Sequence, residues 1–85
     1  MHHLVKVFAG IREAVGTETL QIEILDGTTA LDIKEQLANR YPDAAELIRM
    51  SRLAVDQKFV SDEHALAGQA SPGDEIALIP PVSGG

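Results

Sequence analysis

The chain is predicted to fold as an α+β domain, in which a mixed sheet is covered by one main helix. Segments with the two-residue period of strands and one segment with a helical period follow in the order strand, strand, helix, strand, strand. The predicted helix has a single apolar face, which it buries most simply against a sheet. With 85 residues, 45% of them hydrophobic, the chain is sized for one core. Residues 1–79 are therefore predicted to form one domain and residues 80–85 an extended tail.

The first two strands are predicted to form a hairpin with a short helix between them. In the first strand Val5 and Val7 share one face, and Phe8 lies on the other. Gly16 is suited to end the helix because glycine accepts the left-handed conformation. The apolar face of the second strand is formed by Leu20, Ile22 and Ile24. The predicted bounds are residues 4–9 for the first strand, 11–15 for the helix and 19–25 for the second strand.

The main helix is predicted to begin after Thr29. Thr29 and Asp32 have the spacing of a capping box, with Asp in place of the usual Glu or Gln. Apolar residues recur at spacings of three and four, which gives the helix one apolar face: Ala30, Ile33, Leu37 and Tyr41. The polar residues expected to point to water are Lys34, Glu35 and Arg40.

The second half of the chain is predicted to add a short helical turn and three short strands. Two of these strands flank a turn at Asp56 and Gln57. The last strand presents Ile76 and Leu78 on one face, and a Ser-Pro-Gly-Asp turn at 71–74 precedes it. This order of elements is typical of a β-grasp fold. The predicted bounds are residues 44–50 for the helical turn and 52–55, 58–60 and 75–79 for the strands.

The sequence offers little reactive side-chain chemistry. It has no cysteine, and therefore no thiolate nucleophile, thiolate metal site or disulfide. It has no Gly-rich phosphate loop ending in Lys-Ser or Lys-Thr and no GxSxG motif. His2, His3 and His64 lack the spacing of a metal site. Ser61, Asp62 and His64 are too close in sequence to form a nucleophile triad, so a solvated loop is predicted there. Neither a metal nor a bound cofactor is predicted.

Charge and hydropathy exclude two classes of partner. The formal net charge of -6 repels phosphate backbones, and the three aromatic residues offer few stacking faces, so no nucleic-acid partner is expected. No apolar run approaches the roughly 20 residues that a membrane helix needs, so neither a membrane partner nor secretion is expected. A cytoplasmic protein is predicted. The acidic balance favours a protein partner with a basic surface, although solvation alone explains most such charge.

The C-terminal segment has a pattern of its own. Pro80 and Pro81 fix φ near -65° and favour an extended polyproline conformation. At about 3.1 Å per residue, the six tail residues reach roughly 19 Å, enough to enter another protein's pocket. Gly84 and Gly85 lack Cβ atoms and pass through a narrow channel. Gly-Gly alone is typical of an ordinary frayed end. Pro-Pro before it favours a terminal carboxylate that works after another enzyme has activated it, for example by adenylation with ATP.

The sequence resembles the family of small, sulfur-carrying subunits of molybdopterin synthase, which are ubiquitin-like β-grasp proteins. The resemblance covers nearly the whole chain, and the C-terminal ending is its most specific part. It rests on Val7-Phe8-Ala9, Arg12-Glu13, Gly16, Gly73-Asp74-Glu75-Ile76-Ala77 and Pro80-Pro81-Val82-Ser83-Gly84-Gly85. Asp56 departs from the asparagine common in the family, and Ile79 replaces an aromatic residue of some relatives.

The resemblance implies a sulfur carrier that is not an enzyme on its own and binds no cofactor. A ubiquitin-activating-like adenylating enzyme would use ATP to activate Gly85, and sulfur donation would convert the adenylate to a thiocarboxylate. The tail, with Pro80, Pro81, Val82, Ser83 and Gly84, would then insert into the large synthase subunit, within a heterotetramer. There the sulfur would pass to cyclic pyranopterin monophosphate, in two transfers per molybdopterin. Phe8, Arg12 and Ile79 match the family's partner interface.

Three alternatives share these features. The first is a related carrier that delivers sulfur for thiamine, tRNA thiolation or cysteine synthesis, although the Pro-Pro-Val-Ser segment favours molybdopterin. The second is a ubiquitin-like modifier, whose activated terminus would be attacked by a lysine amine instead of sulfur. The third is a passive binding module that uses only its sheet face.

Overall fold

A computed structural model describes residues 2–66 and 75–81 and shows a five-stranded mixed sheet with helices on one face. The strands are β1 (His2–Val7), β2 (Thr19–Glu23), β3 (Arg52–Val55), β4 (Lys58–Phe59) and β5 (Ile76–Ile79). The sheet order is β2-β1-β5-β3-β4, with β1 and β5 parallel and the other pairs antiparallel. The predicted α+β fold, with its mixed sheet and main helix, is confirmed.

The helices lie in two connections of the described chain, one from β1 to β2 and one from β2 to β3. The longest helix has 11 residues, and the two short helices lie before β2 and before β3. Gly16 ends the first helix with φ 79° and donates its N–H to the Arg12 carbonyl at 2.9 Å, as predicted for this glycine. The bounds are α1 (Ala9–Val15), α2 (Ala30–Arg40), a 3-10 turn (Pro42–Ala44) and α3 (Ala45–Met50).

Several predicted bounds were wrong. The first strand begins at residue 2 instead of 4, the first helix at 9 instead of 11 and the last strand at 76 instead of 75, while the fourth strand ends at 59 instead of 60. The ends of the first two strands also differ. The first strand ends at Val7 because Ala9 has a φ of 49°, in the left-handed region, and begins α1. The second strand ends at Glu23 because the Leu25 N–H donates to Thr28 Oγ1 at 2.9 Å, inside the following turn. The predicted turn at 71–74 lies outside the described residues.

The core lies between one sheet face and the helices. Side chains of neighbouring strands share that face because directly paired residues point the same way. Ile33 and Leu37 of α2 are fully buried against it, as the helical period predicts. The other large, fully buried apolar side chains are Val5, Val7, Ile11, Ile22, Ile48, Leu53, Leu66, Ile76 and Leu78.

The start of α2 is closed by the loop that follows β4. The predicted capping box is present, with Thr29 Oγ1 accepting from the Asp32 N–H at 3.2 Å and Asp32 Oδ2 accepting from the Thr29 N–H at 3.0 Å. The next two helical N–H groups, of Ala30 and Leu31, donate to loop carbonyls of His64 and Asp62, each at 3.0 Å. The loop predicted as merely solvated therefore satisfies the free donors of the helix.

Lys34 does not point to water, contrary to the prediction from the helical period. The residue is only 5% exposed, and its Nζ lies 2.8 Å from Asp62 Oδ1. The ammonium also donates to the carbonyls of Ser51 at 3.2 Å and Arg49 at 3.4 Å. Its three protons thus have three acceptors, and they join α2 to the end of α3 and to the loop after β4.

Side chains of α2 cover the outer edge of β2. Gln36 accepts from the Glu23 N–H at 3.2 Å and donates to the Glu23 carbonyl at 3.4 Å, much as a neighbouring strand does. Arg40 Nη1 donates to the Gln21 carbonyl at 2.6 Å. Strand edges with free backbone groups invite pairing with another chain, and here the Gln21 carbonyl and both backbone groups of Glu23 are occupied.

The β3–β4 hairpin has a two-residue turn in which both central residues have positive φ. Asp56 has φ 53° and Gln57 has φ 71°, between the paired residues Val55 and Lys58. Positive φ at both positions is the requirement of a type I′ turn, in which glycine is preferred at the second. The Asp56 N–H also donates to the Glu75 carbonyl at 2.7 Å. Gln57 is therefore the strained member of the turn.

Replacing Gln57 with glycine is expected to stabilise the domain. Glycine removes the steric penalty of positive φ, which exceeds its entropic disadvantage in the unfolded chain, so the free energy of unfolding should rise by about 1 kcal/mol. Urea denaturation followed by circular dichroism measures this change. The matched control is Gln21→Gly in β2, which should lower stability because glycine weakens a strand. A lower stability of Gln57→Gly contradicts the proposed strain.

Candidate docking face and tail

The tail leaves the domain from the middle of the sheet. β5 is the central strand, and Pro80 and Pro81 follow it directly. Pro80 is partly buried and Pro81 is exposed. Val82, Ser83, Gly84 and Gly85, the rest of the predicted insertion segment, lie outside the described residues.

The sheet face opposite the helices is the outer face, and its residues follow from the strand register. Arg52 pairs with Ile79. Ala54 pairs with Ala77 on one side and with Phe59 on the other. These residues alternate with the buried Leu53 and Leu78, so their side chains point away from the core face.

A groove on this face adjoins the root of the tail. It encloses about 240 Å³ and is termed here the tail-root groove. Met50 is 60% exposed and Phe59 is 50% exposed, high values for large apolar side chains placed side by side. Of the six lining residues only Arg52 is charged, and none of the six carries a nucleophile or an acid–base group. The groove is therefore suited to binding rather than to catalysis. Its lining residues are Met50, Arg52, Phe59, Ile79, Pro80 and Pro81.

Arg52 and Phe59 contact each other within the groove. The guanidinium carbon lies 4.2 Å from the centroid of the Phe59 ring, a cation–π geometry. The ring covers one side of the guanidinium, and the Arg52 side chain is otherwise exposed. The groove therefore combines an apolar lining with one positive charge.

A second cavity of about 220 Å³ lies where β1 meets α1 and β2. Phe8 and Arg12, two of the three predicted interface residues, line it together with Lys6, Val7, Glu18 and Thr19. Arg12 Nη1 lies 3.7 Å from Glu18 Oε1, and both side chains are well exposed, so this ion pair adds little stability. Phe8 is exposed rather than part of the core.

The predicted interface residues thus occupy two adjoining places. Val7 of β1 pairs with Leu78 of β5. Phe8 comes directly after Val7, and Ile79 comes directly after Leu78, so the two residues lie at the same end of neighbouring strands. Arg12 lies with Phe8 in the second cavity, and Ile79 lies in the tail-root groove. Sequence reasoning missed Met50, Arg52 and Phe59. The two-residue turn at 56–57 was the available signal, because it fixes the pairing of Phe59 with Ala54.

His3 and His64 line neither of these cavities. His3 is buried on the core face of β1, paired with Ile22, and within the described residues neither ring nitrogen has a hydrogen-bond partner. Across residues 2–66 and 75–81 no three His, Asp or Glu side chains come together to hold a metal ion. In the same ranges no helix has the length and apolarity to cross a membrane.

Comparison with known sequences shows which proteins this chain resembles. The model of the ThiS family matches residues 5–85. The molybdopterin synthase sulfur carrier subunit of Dictyostelium discoideum is 35% identical over 80 residues, covering 93% of this chain and 91% of that protein. Small archaeal modifier protein 1 of Haloferax volcanii is 35% identical over 89 residues, covering 94% of this chain and 97% of that protein.

Solved structures show the same fold. The crystal structure of SAMP1 from Haloferax volcanii superposes with a TM-score of 0.72 at 27% identity and covers 100% of both chains. A protein–protein complex of subunits 1 and 2 of molybdopterin-converting factor from Helicobacter pylori contains a chain with a TM-score of 0.63 at 24% identity, also with 100% coverage of both. At that identity the second likeness shows the fold alone.

Proposed function

Because the chain belongs to the ThiS family, we propose that it is a sulfur carrier of molybdenum cofactor biosynthesis and the small subunit of a molybdopterin synthase. Sulfur carrier subunits of that synthase about 35% identical to this chain, over more than nine-tenths of both, support this assignment. The ending Pro80-Pro81-Val82-Ser83-Gly84-Gly85, which lies within the matched segment, also supports it. On its own the chain is not an enzyme.

The observation that carries the proposal is the position of the tail. It continues the central strand and starts beside an uncovered apolar groove. A partner that seats on the groove therefore holds the tail at its root and fixes the direction of the remaining residues. Four residues in polyproline conformation have a length of about 12 Å, so a tail of that length would bring the terminal carboxylate to a pocket close to the docking face.

The proposed chemistry takes place at the Gly85 carboxylate. A carboxylate oxygen attacks the α-phosphate of ATP in an adenylating enzyme, which forms an acyl-adenylate and releases pyrophosphate. Sulfide then attacks the acyl carbon and displaces AMP, which leaves a thiocarboxylate. In the large subunit the sulfur is transferred to cyclic pyranopterin monophosphate, and water restores the carboxylate. Two such transfers supply the two sulfurs of one dithiolene.

The proposed partners are the large synthase subunit and the adenylating enzyme. A complex of subunits 1 and 2 of molybdopterin-converting factor is known for the Helicobacter pylori protein. We expect the tail-root groove, with Phe8 and Arg12 beside it, to contact the large subunit in a heterotetramer. The groove's apolar lining is suited to a lasting contact.

A protein modifier is the second candidate, because one relative has that name. Small archaeal modifier protein 1 of Haloferax volcanii is as similar to this chain as the synthase subunits are. A modifier uses the same acyl-adenylate, but a lysine amine rather than sulfur displaces AMP and forms an isopeptide bond. Both functions place the reaction at Gly85.

The carrier function predicts two coupled mass changes. Incubation of the purified chain with a ubiquitin-activating-like adenylating enzyme, ATP and sulfide should replace one oxygen by sulfur, as read by intact mass. Addition of the large subunit and cyclic pyranopterin monophosphate should then return the chain to its original mass while the pterin gains sulfur. Incubation without ATP is the control. Lysine-linked conjugates in place of the first change would instead establish a modifier.

A further inference from the structure

Most cations of this acidic domain are already paired within it. Within the described residues four of the seven Lys and Arg residues form ion pairs with carboxylates, and Arg40 donates to Gln21 and Gln36. Arg52 and Lys58 are the two without an ion pair or hydrogen bond in that part of the chain. The paired residues are Lys6 with Glu75, Arg12 with Glu18, Lys34 with Asp62 and Arg49 with Glu35.

Arg52 and Lys58 differ in what surrounds them. Arg52 lines the tail-root groove and stacks on Phe59 at 4.2 Å. Lys58 is next to Phe59 in β4 but pairs with Val55, so its side chain leaves the other face of the sheet. The two residues therefore carry the same charge on opposite sides of one hairpin, each without an ionic partner among residues 2–66 and 75–81.

Covering the groove without an acceptor for Arg52 is unfavourable. A guanidinium removed from water without a counter-charge loses its hydration and gains nothing in return. A protein that takes the tail into a pocket must approach its root at Pro80 and Pro81, which line the same groove as Arg52. Contact with the Phe59 ring restricts the Arg52 side chain, so less side-chain entropy is lost when its N–H groups bind a carboxylate.

We infer that the tail-root groove docks on a partner surface with an apolar centre and a carboxylate side chain opposite Arg52. This inference rests on the proposed function, because the large synthase subunit is the expected partner. It reverses the expectation, drawn from the net charge of -6, of a basic partner surface. The charge that faces the partner here is positive, although the sum over the chain is negative. Arg52 is thus the residue that selects the partner by charge.

Affinity measurements with charge variants test this inference. Isothermal titration calorimetry measures the Kd of the full chain for its cognate large subunit at two salt concentrations. The proteins compared are the wild type and the variants Arg52→Glu, Arg52→Gln and Lys58→Glu. Arg52→Glu should raise Kd at least about 30-fold and Arg52→Gln about 10-fold. Lys58→Glu, with the same charge reversal on the opposite face, should change Kd less than about 3-fold. Added salt should weaken the wild type more than Arg52→Gln.

The outcomes separate the inference from the proposed function. Equal effects of Arg52→Glu and Lys58→Glu, with binding retained, overturn the inference alone. If Arg52→Gln binds with wild-type affinity, the group opposite Arg52 is a neutral acceptor such as a carbonyl, and the inferred carboxylate is overturned. Failure of the wild type to bind the large subunit overturns both. Urea denaturation of each variant shows that the fold is intact, as the exposed positions of both residues lead us to expect.

Discussion

Deletion of Gly85 is expected to abolish thiocarboxylate formation while leaving the domain folded. The shortened chain still ends in a carboxylate, on Gly84, so the reactive group is the same. Its position changes by about 3 Å, the rise of one residue in polyproline conformation. A misplacement of about 1 Å already reduces rates about 100-fold when a reaction depends on orientation. We therefore expect no detectable sulfur uptake in the intact mass after incubation with adenylating enzyme, ATP and sulfide.

The control for this deletion changes the tail without changing its length. Ser83→Ala removes a hydroxyl two residues before the terminus and should take up sulfur at nearly the wild-type rate. Urea denaturation of the Gly85 deletion should give the wild-type midpoint, because residues 80–85 are predicted to lie beyond the domain. Full-rate sulfur uptake by the deleted chain contradicts a role for the exact position of the terminus.

Asp62→Asn is expected to destabilise the domain more than Lys34→Met. Asn leaves the Lys34 ammonium buried without its counter-charge. Breaking a buried ion pair from one side costs about 3–5 kcal/mol, and because the Asp62 side chain is 48% exposed we expect about 2–3 kcal/mol. Met removes the buried charge and leaves Asp62 in contact with water. Its loss is about 1–2 kcal/mol, from the unpaired carbonyls of Arg49 and Ser51.

Urea denaturation of both variants measures this order. Glu35→Gln is the matched control, since it makes the same acid-to-amide change in the exposed ion pair with Arg49, where we expect a loss below about 0.5 kcal/mol. Equal small losses in Asp62→Asn and Glu35→Gln contradict a structural role for the buried pair. A larger loss in Lys34→Met than in Asp62→Asn shows that the carbonyl contacts outweigh the charge.

The fold was largely predictable from local patterns. The capping box at Thr29 and Asp32 and the cap at Gly16 depend on residues a few positions apart, and the structure confirms them. The prediction that Lys34 points to water was wrong because its acceptors lie between 15 and 28 residues away. These acceptors are the carbonyls of Arg49 and Ser51 and the carboxylate of Asp62. Helical spacing shows only which side of α2 a residue occupies.

The docking face was predictable only in part. Phe8 was predicted to lie off the core face because it follows Val7 in an alternating strand, and the structure exposes it. The tail-root groove brings together α3, β3, β4 and the residues after β5, which are distant in sequence. Arg52 and Phe59 meet because the tight turn at 56–57 sets their register, and composition contains no trace of this contact. The partner contacts of Phe8, Arg12 and Ile79 stay predictions.

The position of β5 also has a mechanical consequence. A partner that pulls on the tail applies force along a strand that is bonded to β1 on one side and to β3 on the other. The load is then shared as shear by several hydrogen bonds, which must rupture together instead of unzipping one after another. An edge strand pulled along its axis would be held by hydrogen bonds on one side only, so a weaker pull would detach it. The tail is therefore anchored where the domain resists extension best, so it can be drawn out of a tight pocket without unfolding its carrier.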